Sequence, residues 1–124
     1  LGSATRLDVQ AEARRLAARV QLAADQSMLG DVAIAVSLGR GGYGFVEWEE
    51  GRADWQPSRS GPLAEWHTLP RGLALTSSNG QAIIPVTADG AADGVTLALS
   101  DRDSGKTVLL DGLSVRGSGG GSAP

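Results

Sequence analysis

The chain has 124 residues, which fits one domain, and 41% of them are apolar, which is enough for one modest core. The formal net charge of −3 argues against a nucleic-acid partner, because neutralising phosphates needs a clustered excess of Lys and Arg. The chain contains no cysteine, which excludes disulfides, thiolate nucleophiles and zinc–thiolate sites.

Residues 6–29 are predicted to form one long amphipathic helix. Apolar or small side chains recur at spacings of three and four, no Gly or Pro interrupts the run, and Gly30 is a typical C-terminal stop. The apolar stripe is narrow and rich in Ala, so we expect the helix to need a partner surface on the strand-rich remainder. The central members of this stripe are Val9, Ala13, Leu16 and Val20.

Short strands and turns are predicted for the region that follows the helix. Asp31–Leu38 and Tyr43–Glu49 both alternate in polarity and flank a glycine-rich turn at Gly39–Gly42, which predicts an antiparallel hairpin. Glu50–Pro57 is predicted to be a turn region, and Ser58–Pro62 an exposed loop, because both are rich in turn residues.

The second half of the chain shows the same alternation of strands and turns. Asn79 and Gly80 separate two apolar runs, which predicts a hairpin because Asn-Gly suits a type I′ turn. The predicted strands are residues 66–69, 73–76, 82–86, 95–99, 107–110 and 113–116, with a loop at 87–94.

The predicted fold class is α+β, with a long N-terminal helix packed on antiparallel sheets of about eight short strands in a sandwich-like arrangement. The start Leu1-Gly2-Ser3 is typical of a cloning scar, so residues 1–5 are predicted to be non-native. The domain is predicted to span residues 6–116, with its β-region at 31–116, and residues 117–124 to form a flexible tail.

Two motifs resemble ligand-binding loops but lack the required context. Residues 39–44 match the dinucleotide pattern G-x-G-x-x-G, yet a strand follows where a helix N-terminus must meet the pyrophosphate. Asp101–Gly105 opens like a calcium loop, but its twelfth position is Gly112 instead of an acidic residue. We therefore expect a hairpin turn and an ordinary acidic turn, with no cofactor and no metal.

No set of side chains predicts an enzyme. His67 is the single histidine, no serine lies on a G-x-S-x-G elbow, and a structural role is the better interpretation. Glu47 and Glu49 share one face of the predicted strand, and Glu50 begins a turn. This placement favours a solvated acidic face over an acid/base pair. Packing in the core and at its rim is predicted for the three tryptophans, Trp48, Trp55 and Trp66.

The order of several short motifs resembles a known family. The helix contains E-x-x-R-L-A at Glu12–Ala17, and G-Y-x-F follows at Gly42–Phe45. W-x-P lies at Trp55–Pro57, and L-P-x-G-L-x-L at Leu69–Leu75. Over about residues 6–116 the chain is similar to the periplasmic domain of GspH-type minor pseudopilins of bacterial type II secretion systems, in the broader GspH/FimT family.

This resemblance implies a structural subunit of a periplasmic pseudopilus that supports protein export across the outer membrane. Its partners would be other minor and major pseudopilins and secretion-system components, with no small-molecule substrate. An N-terminal transmembrane helix, missing here, would anchor the protein in the inner membrane. The stripe Val9, Ala13, Leu16 and Val20 would pack on the domain's own sheet or contact neighbouring subunits.

The sequence leaves two other function classes open. A FimT-like minor pilin of type IV pili would share the fold and bind DNA, against which the acidic balance counts. A carbohydrate-binding β-sandwich would use the tryptophans as stacking platforms.

Overall fold

A computed structural model of the chain describes residues 6–59, 61–87, 90–91, 94–111 and 114–118. In these ranges one long helix, α1, is followed by ten strands and a short 3-10 helix at Gly61–Ala64. The helix and strands are α1 Arg6–Gly30, β1 Ile34–Gly39, β2 Gly42–Glu49, β3 Asp54–Pro57, β4 His67–Thr68, β5 Leu73–Ser77, β6 Ile83–Thr87, β7 Gly90–Ala91, β8 Thr96–Asp101, β9 Thr107–Asp111 and β10 Ser114–Ser118.

The strands form two antiparallel sheets. The first has the order β3-β2-β1-β6-β7, with β4 also paired to β2, and the second has the order β10-β9-β8-β5. Helix α1 contacts strands of both sheets, so the core lies between the helix and the two sheets. The predicted α+β class, with a long helix on antiparallel sheets, is confirmed.

One stripe of α1 supplies the helical side of the core. Val9 and Val20 are fully buried, and Ala13 and Leu16 are almost fully buried. The spacing of three and four residues keeps these side chains on one side of the helix, where they meet bulky residues of the sheets. Within the described ranges, no helix combines the length and the apolar character needed to cross a membrane.

The predicted β1–β2 hairpin is confirmed. Its register pairs Val36 with Phe45 and Gly39 with Gly42. The turn places Gly41 at a φ of 73°, in the left-handed region where glycine is favoured. The strand starts later than predicted, at Ile34, because residues 31–33 connect it to the helix.

The predicted hairpin across Asn79 and Gly80 is wrong. The local turn does form, since the Gly80 amide donates to the Ser77 carbonyl at 3.2 Å. However, β5 pairs with β8 in the second sheet, whereas β6 pairs with β1 in the first. The turn signal fixes the bend of the chain but does not determine which sheet edge the next strand joins.

Two further predictions in the middle of the chain need correction. The predicted turn region Glu50–Pro57 ends in a strand, β3, that pairs with β2. The loop predicted at Ser58–Pro62 is exposed at Arg59, Gly61 and Pro62, but Ser58 at its start is only 4% exposed. Ser58 is buried because its hydroxyl donates to the half-buried carboxylate of Glu47 at 2.6 Å.

The second sheet largely follows the predicted strands. The runs predicted at residues 95–99, 107–110 and 113–116 correspond to β8, β9 and β10. The predicted loop at 87–94 instead pairs Val86 with Ala91 in its described part. The predicted scar at residues 1–5 lies outside the described residues, as do residues 119–124 of the predicted tail.

Candidate functional site

Trp66 lies on a surface that three glycines keep flat. A methyl group added at Gly42 would lie 2.6 Å from the indole nitrogen, and one added at Gly44 would lie 2.9 Å from Cε3. A methyl group at Gly39 would overlap the same ring. Half of the Trp66 side chain is nevertheless exposed, at 49%. We call Trp66 and these three glycines the tryptophan platform.

Arg19 of helix α1 holds the segment that leads to Trp66. Its Nη2 donates to the carbonyl oxygens of Pro62 and Glu65, both at 2.8 Å. Its guanidinium carbon also lies 5.2 Å from the ring centre of Phe45 and 5.5 Å from that of Tyr43. Hydrogen bonds to two carbonyls and cation–π contacts therefore tie the helix, β2 and residues 62–65 together.

His67 makes the second link between the helix and the platform. Its Nε2 lies 2.7 Å from Oε1 of Glu12, which is an ion pair when the imidazole is protonated and a hydrogen bond otherwise. The imidazole also meets the Tyr43 ring edge to face, with centroids 5.3 Å apart. The single histidine thus has structural contacts on both sides, in line with the structural role that the sequence predicts.

Tyr43 lies beneath these contacts and is fully buried. Its hydroxyl has no partner in hydrogen-bond geometry among the described residues. Burial raises the pKa of the Tyr43 phenol, and the nearby Arg19 guanidinium opposes that increase. The Tyr43 phenol therefore lies beside Arg19 in the core, where its ring packs edge to face with Phe45 and His67.

Two grooves flank Trp66. One, of about 300 Å³, is mainly apolar and is lined by Val46, Pro57 and Ala64 among others. The other, of about 410 Å³, lies between α1 and residues 62–67 and includes Arg15 and Arg19. An exposed aromatic ridge between two grooves is typical of an anchor residue at a protein–protein interface.

The predicted site residues lie apart from this platform. The helix stripe of Val9, Ala13, Leu16 and Val20 faces the core, so in the folded domain its side chains are not accessible. Its role in contacts between subunits stays a prediction.

The predicted solvated glutamates also differ from expectation in part. Glu47 is half-buried, and it accepts hydrogen bonds from the Ser58 hydroxyl and the Arg59 amide. Glu49 lies 3.7 Å from Arg52 on the exposed hairpin end. The Glu47 and Glu49 carboxylates therefore have structural contacts with residues that connect to or follow β3.

The Asp101–Gly105 segment is the acidic turn that the sequence predicts. The Asp101 carboxylate is buried and accepts hydrogen bonds from the Asp103 amide at 3.0 Å and the Ser104 hydroxyl at 2.7 Å. In the part of the chain that the structure describes, no cluster of three or more acidic, His or Cys side chains forms a metal site.

Sequence reasoning missed the tryptophan platform. Trp66 is more than twenty residues from the glycines it covers, and no periodic pattern links positions so far apart. The sequence did contain one indication of the platform, which is the unusual density of glycine on the two strands of one hairpin. Glycine is disfavoured within strands unless another group approaches the backbone closely.

Comparison with known proteins identifies the fold. No family model and no curated protein sequence matches the chain. Two structures of the minor pseudopilin EpsH from the type II secretion system of Vibrio cholerae align with TM-scores of 0.68 and 0.67 at 16% identity. The first alignment covers 90% of this chain and 96% of EpsH, and the second covers 94% and 97%.

A type IV minor pilin has the same architecture. FimU of Pseudomonas aeruginosa aligns with a TM-score of 0.60 at 19% identity, over 92% of this chain and 90% of FimU. The chain therefore has the fold shared by EpsH and FimU, as the motif resemblance predicts.

Proposed function

We propose that this chain is a minor pseudopilin of the GspH type, a structural subunit of the periplasmic pseudopilus of a type II secretion system. The observation that carries the proposal is the alignment with EpsH over nearly the full length of both chains. The order of motifs along residues 6–116 independently resembles the same family.

The proposed role is assembly instead of catalysis. The other pilin-like subunits of the system are its partners, and the domain lies in the periplasm. An apolar segment before α1 anchors the intact protein in the inner membrane in this proposal. The tryptophan platform, with its grooves on either side, provides a surface on which a neighbouring subunit can dock.

A minor pilin of type IV pili is the second candidate, supported by the alignment with FimU. The two candidates differ in the process that fails when the gene is deleted. Loss of protein secretion with normal pili supports the pseudopilin, and loss of pili with normal secretion supports the pilin. A gel shift with double-stranded DNA at low salt tests the DNA-binding version of the second candidate.

Binding to the periplasmic domains of the other pilin-like subunits encoded in the same genome tests the assembly role. We expect one or more domains to bind, and Trp66→Ala to weaken that binding by about tenfold or more, because a central exposed aromatic residue is a typical hot spot. Trp48→Ala is the matched control, since Trp48 is 37% exposed and lies on the hairpin end beside Trp55.

The result that contradicts the proposal is a folded domain that binds none of these subunits. Circular dichroism of each variant confirms folding before binding is measured. Tryptophan quenching by soluble oligosaccharides then tests the remaining class, a carbohydrate-binding module.

A further inference from the structure

The second sheet ends at a strand edge whose backbone is not paired. The Arg102 amide donates to the Gly72 carbonyl and the Ser78 amide donates to the Thr96 carbonyl, both at 2.9 Å. Because antiparallel pairing alternates, the residues between them, Leu73, Leu75 and Ser77, direct their backbone groups away from β8. β5 is the last strand of this sheet, so that side is open.

Local contacts satisfy only part of this open edge. The Leu73 amide donates to the Pro70 carbonyl at 3.1 Å, and the Ser77 carbonyl accepts from the Gly80 amide. Among the described residues, the amide and carbonyl of Leu75 and the amide of Ser77 have no backbone or side-chain partner. Alternating donors and acceptors at strand spacing match the backbone of another extended polypeptide.

A groove of about 260 Å³ follows this edge. Leu75, Thr76 and Ser77 all line it, as expected of consecutive strand residues where the backbone edge faces a groove. Leu38 and Ala82 form the opposite wall, fixed by the hydrogen bond of 2.7 Å from the Leu38 amide to the Ala82 carbonyl. The groove thus offers an apolar wall beside unpaired backbone groups.

The β3 edge of the first sheet is protected, in contrast. The Ser58 amide donates to the Phe45 carbonyl, and this pairing directs the backbone of Trp55 and Pro57 outward. The carboxylate of Asp54 already accepts from the Trp55 amide at 2.8 Å, and Pro57 has no amide hydrogen. β5 has neither proline nor a charged residue, so nothing in its sequence blocks strand addition.

We propose that the open edge of β5 accepts an extended segment of a neighbouring pilin-like subunit as an added strand. The added strand pairs with the Leu75 and Ser77 backbone, and an apolar side chain of the partner packs against Leu38. A second copy of this chain fits less well, because pairing two β5 edges would bring the Leu38 and Ala82 wall of each copy against the other. This inference rests on the proposed assembly function.

Proline at position 77 tests the added strand. Ser77→Pro removes an amide hydrogen on the open side and leaves the β5–β8 hydrogen bonds in place. Ser77→Ala is the matched control, because it also loses the hydrogen bond of 2.7 Å from the Ser77 hydroxyl to the Gln81 carbonyl but keeps the amide. We expect Ser77→Pro to weaken binding to the neighbouring domain by about tenfold, and Ser77→Ala to leave it within about twofold.

Hydrogen exchange on the wild-type complex provides a second measurement that does not depend on the folding of a variant. We expect the amides of Leu75 and Ser77 to exchange at least about tenfold more slowly when the neighbouring domain is bound. Equal binding by Ser77→Pro and Ser77→Ala, or unchanged exchange at Leu75, would overturn the inference while the assembly role stands.

Two other outcomes are also decisive. If no pilin-like domain binds, the proposed function and the added strand both fail. If the wild-type chain dimerises alone and Ser77→Pro abolishes the dimer, the occupant is a second copy, and the inference of a neighbouring subunit is overturned.

Discussion

The glycines at positions 39, 42 and 44 are required by the indole of Trp66 and not by backbone conformation. Within that hairpin only Gly41 has a positive φ, and it is the glycine with open space around its Cα. The pattern that resembles a dinucleotide loop is therefore a packing surface for an aromatic ring. The glycine pattern can be recognised in the sequence. Its contact with Trp66 could not be predicted, because the indole reaches these glycines only in the folded chain.

Gly42→Ala tests this packing. We expect it to lower the free energy of unfolding by about 1–3 kcal/mol, because the added methyl group meets the indole and the backbone of His67. Urea denaturation followed by tryptophan emission measures the change. Gly51→Ala is the control, since Gly51 has open space and no positive φ. Equal stability of the two variants would contradict the assignment.

Because the phenol of Tyr43 is buried, we expect the free energy of unfolding to fall at alkaline pH. Burial raises the pKa of its phenol above the ordinary value of 10.0, so the folded state favours the protonated form. Its contribution to stability is complete below pH 10.0 and is lost as the pH rises through the folded-state pKa.

The chain has one tyrosine, so tyrosinate absorbance at 295 nm reports Tyr43 alone. We expect this absorbance to rise together with the loss of the far-ultraviolet circular dichroism signal. Ionisation well before unfolding would show that the phenol is accessible in the folded state. Tyr43→Phe, which removes the ionisable group and keeps the ring, should be less sensitive to alkaline pH.

Individual elements were predictable where the signal is local. The helix follows from a sustained 3.6-residue period, and the β1–β2 hairpin follows from alternation around a glycine turn. The partners of β5 and β6 could not be predicted, because each strand joins an edge formed by distant residues. The short strand β3 was missed because a four-residue segment next to a turn has too little alternation to distinguish it from a loop.

The helix stripe gives a prediction at the level of this element. Leu16→Asp should unfold the domain, because a buried carboxylate without a partner is strongly unfavourable. Leu16→Ala should cost about 2–5 kcal/mol, the range for a leucine deleted from a packed core. Circular dichroism and urea denaturation measure both effects.

The matched control is Ala11→Asp on the exposed side of the same helix, which we expect to fold normally. If Leu16→Asp folds as well as Ala11→Asp, the stripe does not carry the packing of α1 on the sheets. Such a result would instead favour a stripe used for contacts between subunits.

The whole molecule depends on links between parts that are distant in sequence. Arg19 connects the helix, the aromatic side chains of β2 and the carbonyls of residues 62–65. Nothing in the helix pattern distinguished Arg19 from its neighbours Arg14 and Arg15. Long-range placement of this kind depends on the completed fold, which explains why the candidate site was harder to predict than the fold class.

Arg19→Lys tests this link. A lysine retains the charge and can donate to both carbonyls, but it has no planar group to lie over the rings of Tyr43 and Phe45. We expect a loss of about 1–3 kcal/mol in the free energy of unfolding. We also expect a shift of tryptophan emission as Trp66 becomes more exposed. Arg14→Lys, at an exposed position of the same helix, should leave both measurements unchanged.

The separation of β5 from β8 along the chain has a consequence for the order of folding. The first sheet can begin with the local β1–β2 hairpin, whereas β5 must wait until residues 78–95 have been synthesised and its partner strand appears. Closing a loop of that length before any contact is gained slows folding. During synthesis β5 therefore has both edges open, and a chain that stops before Thr96 would carry an uncharged strand prone to pairing with other nascent chains.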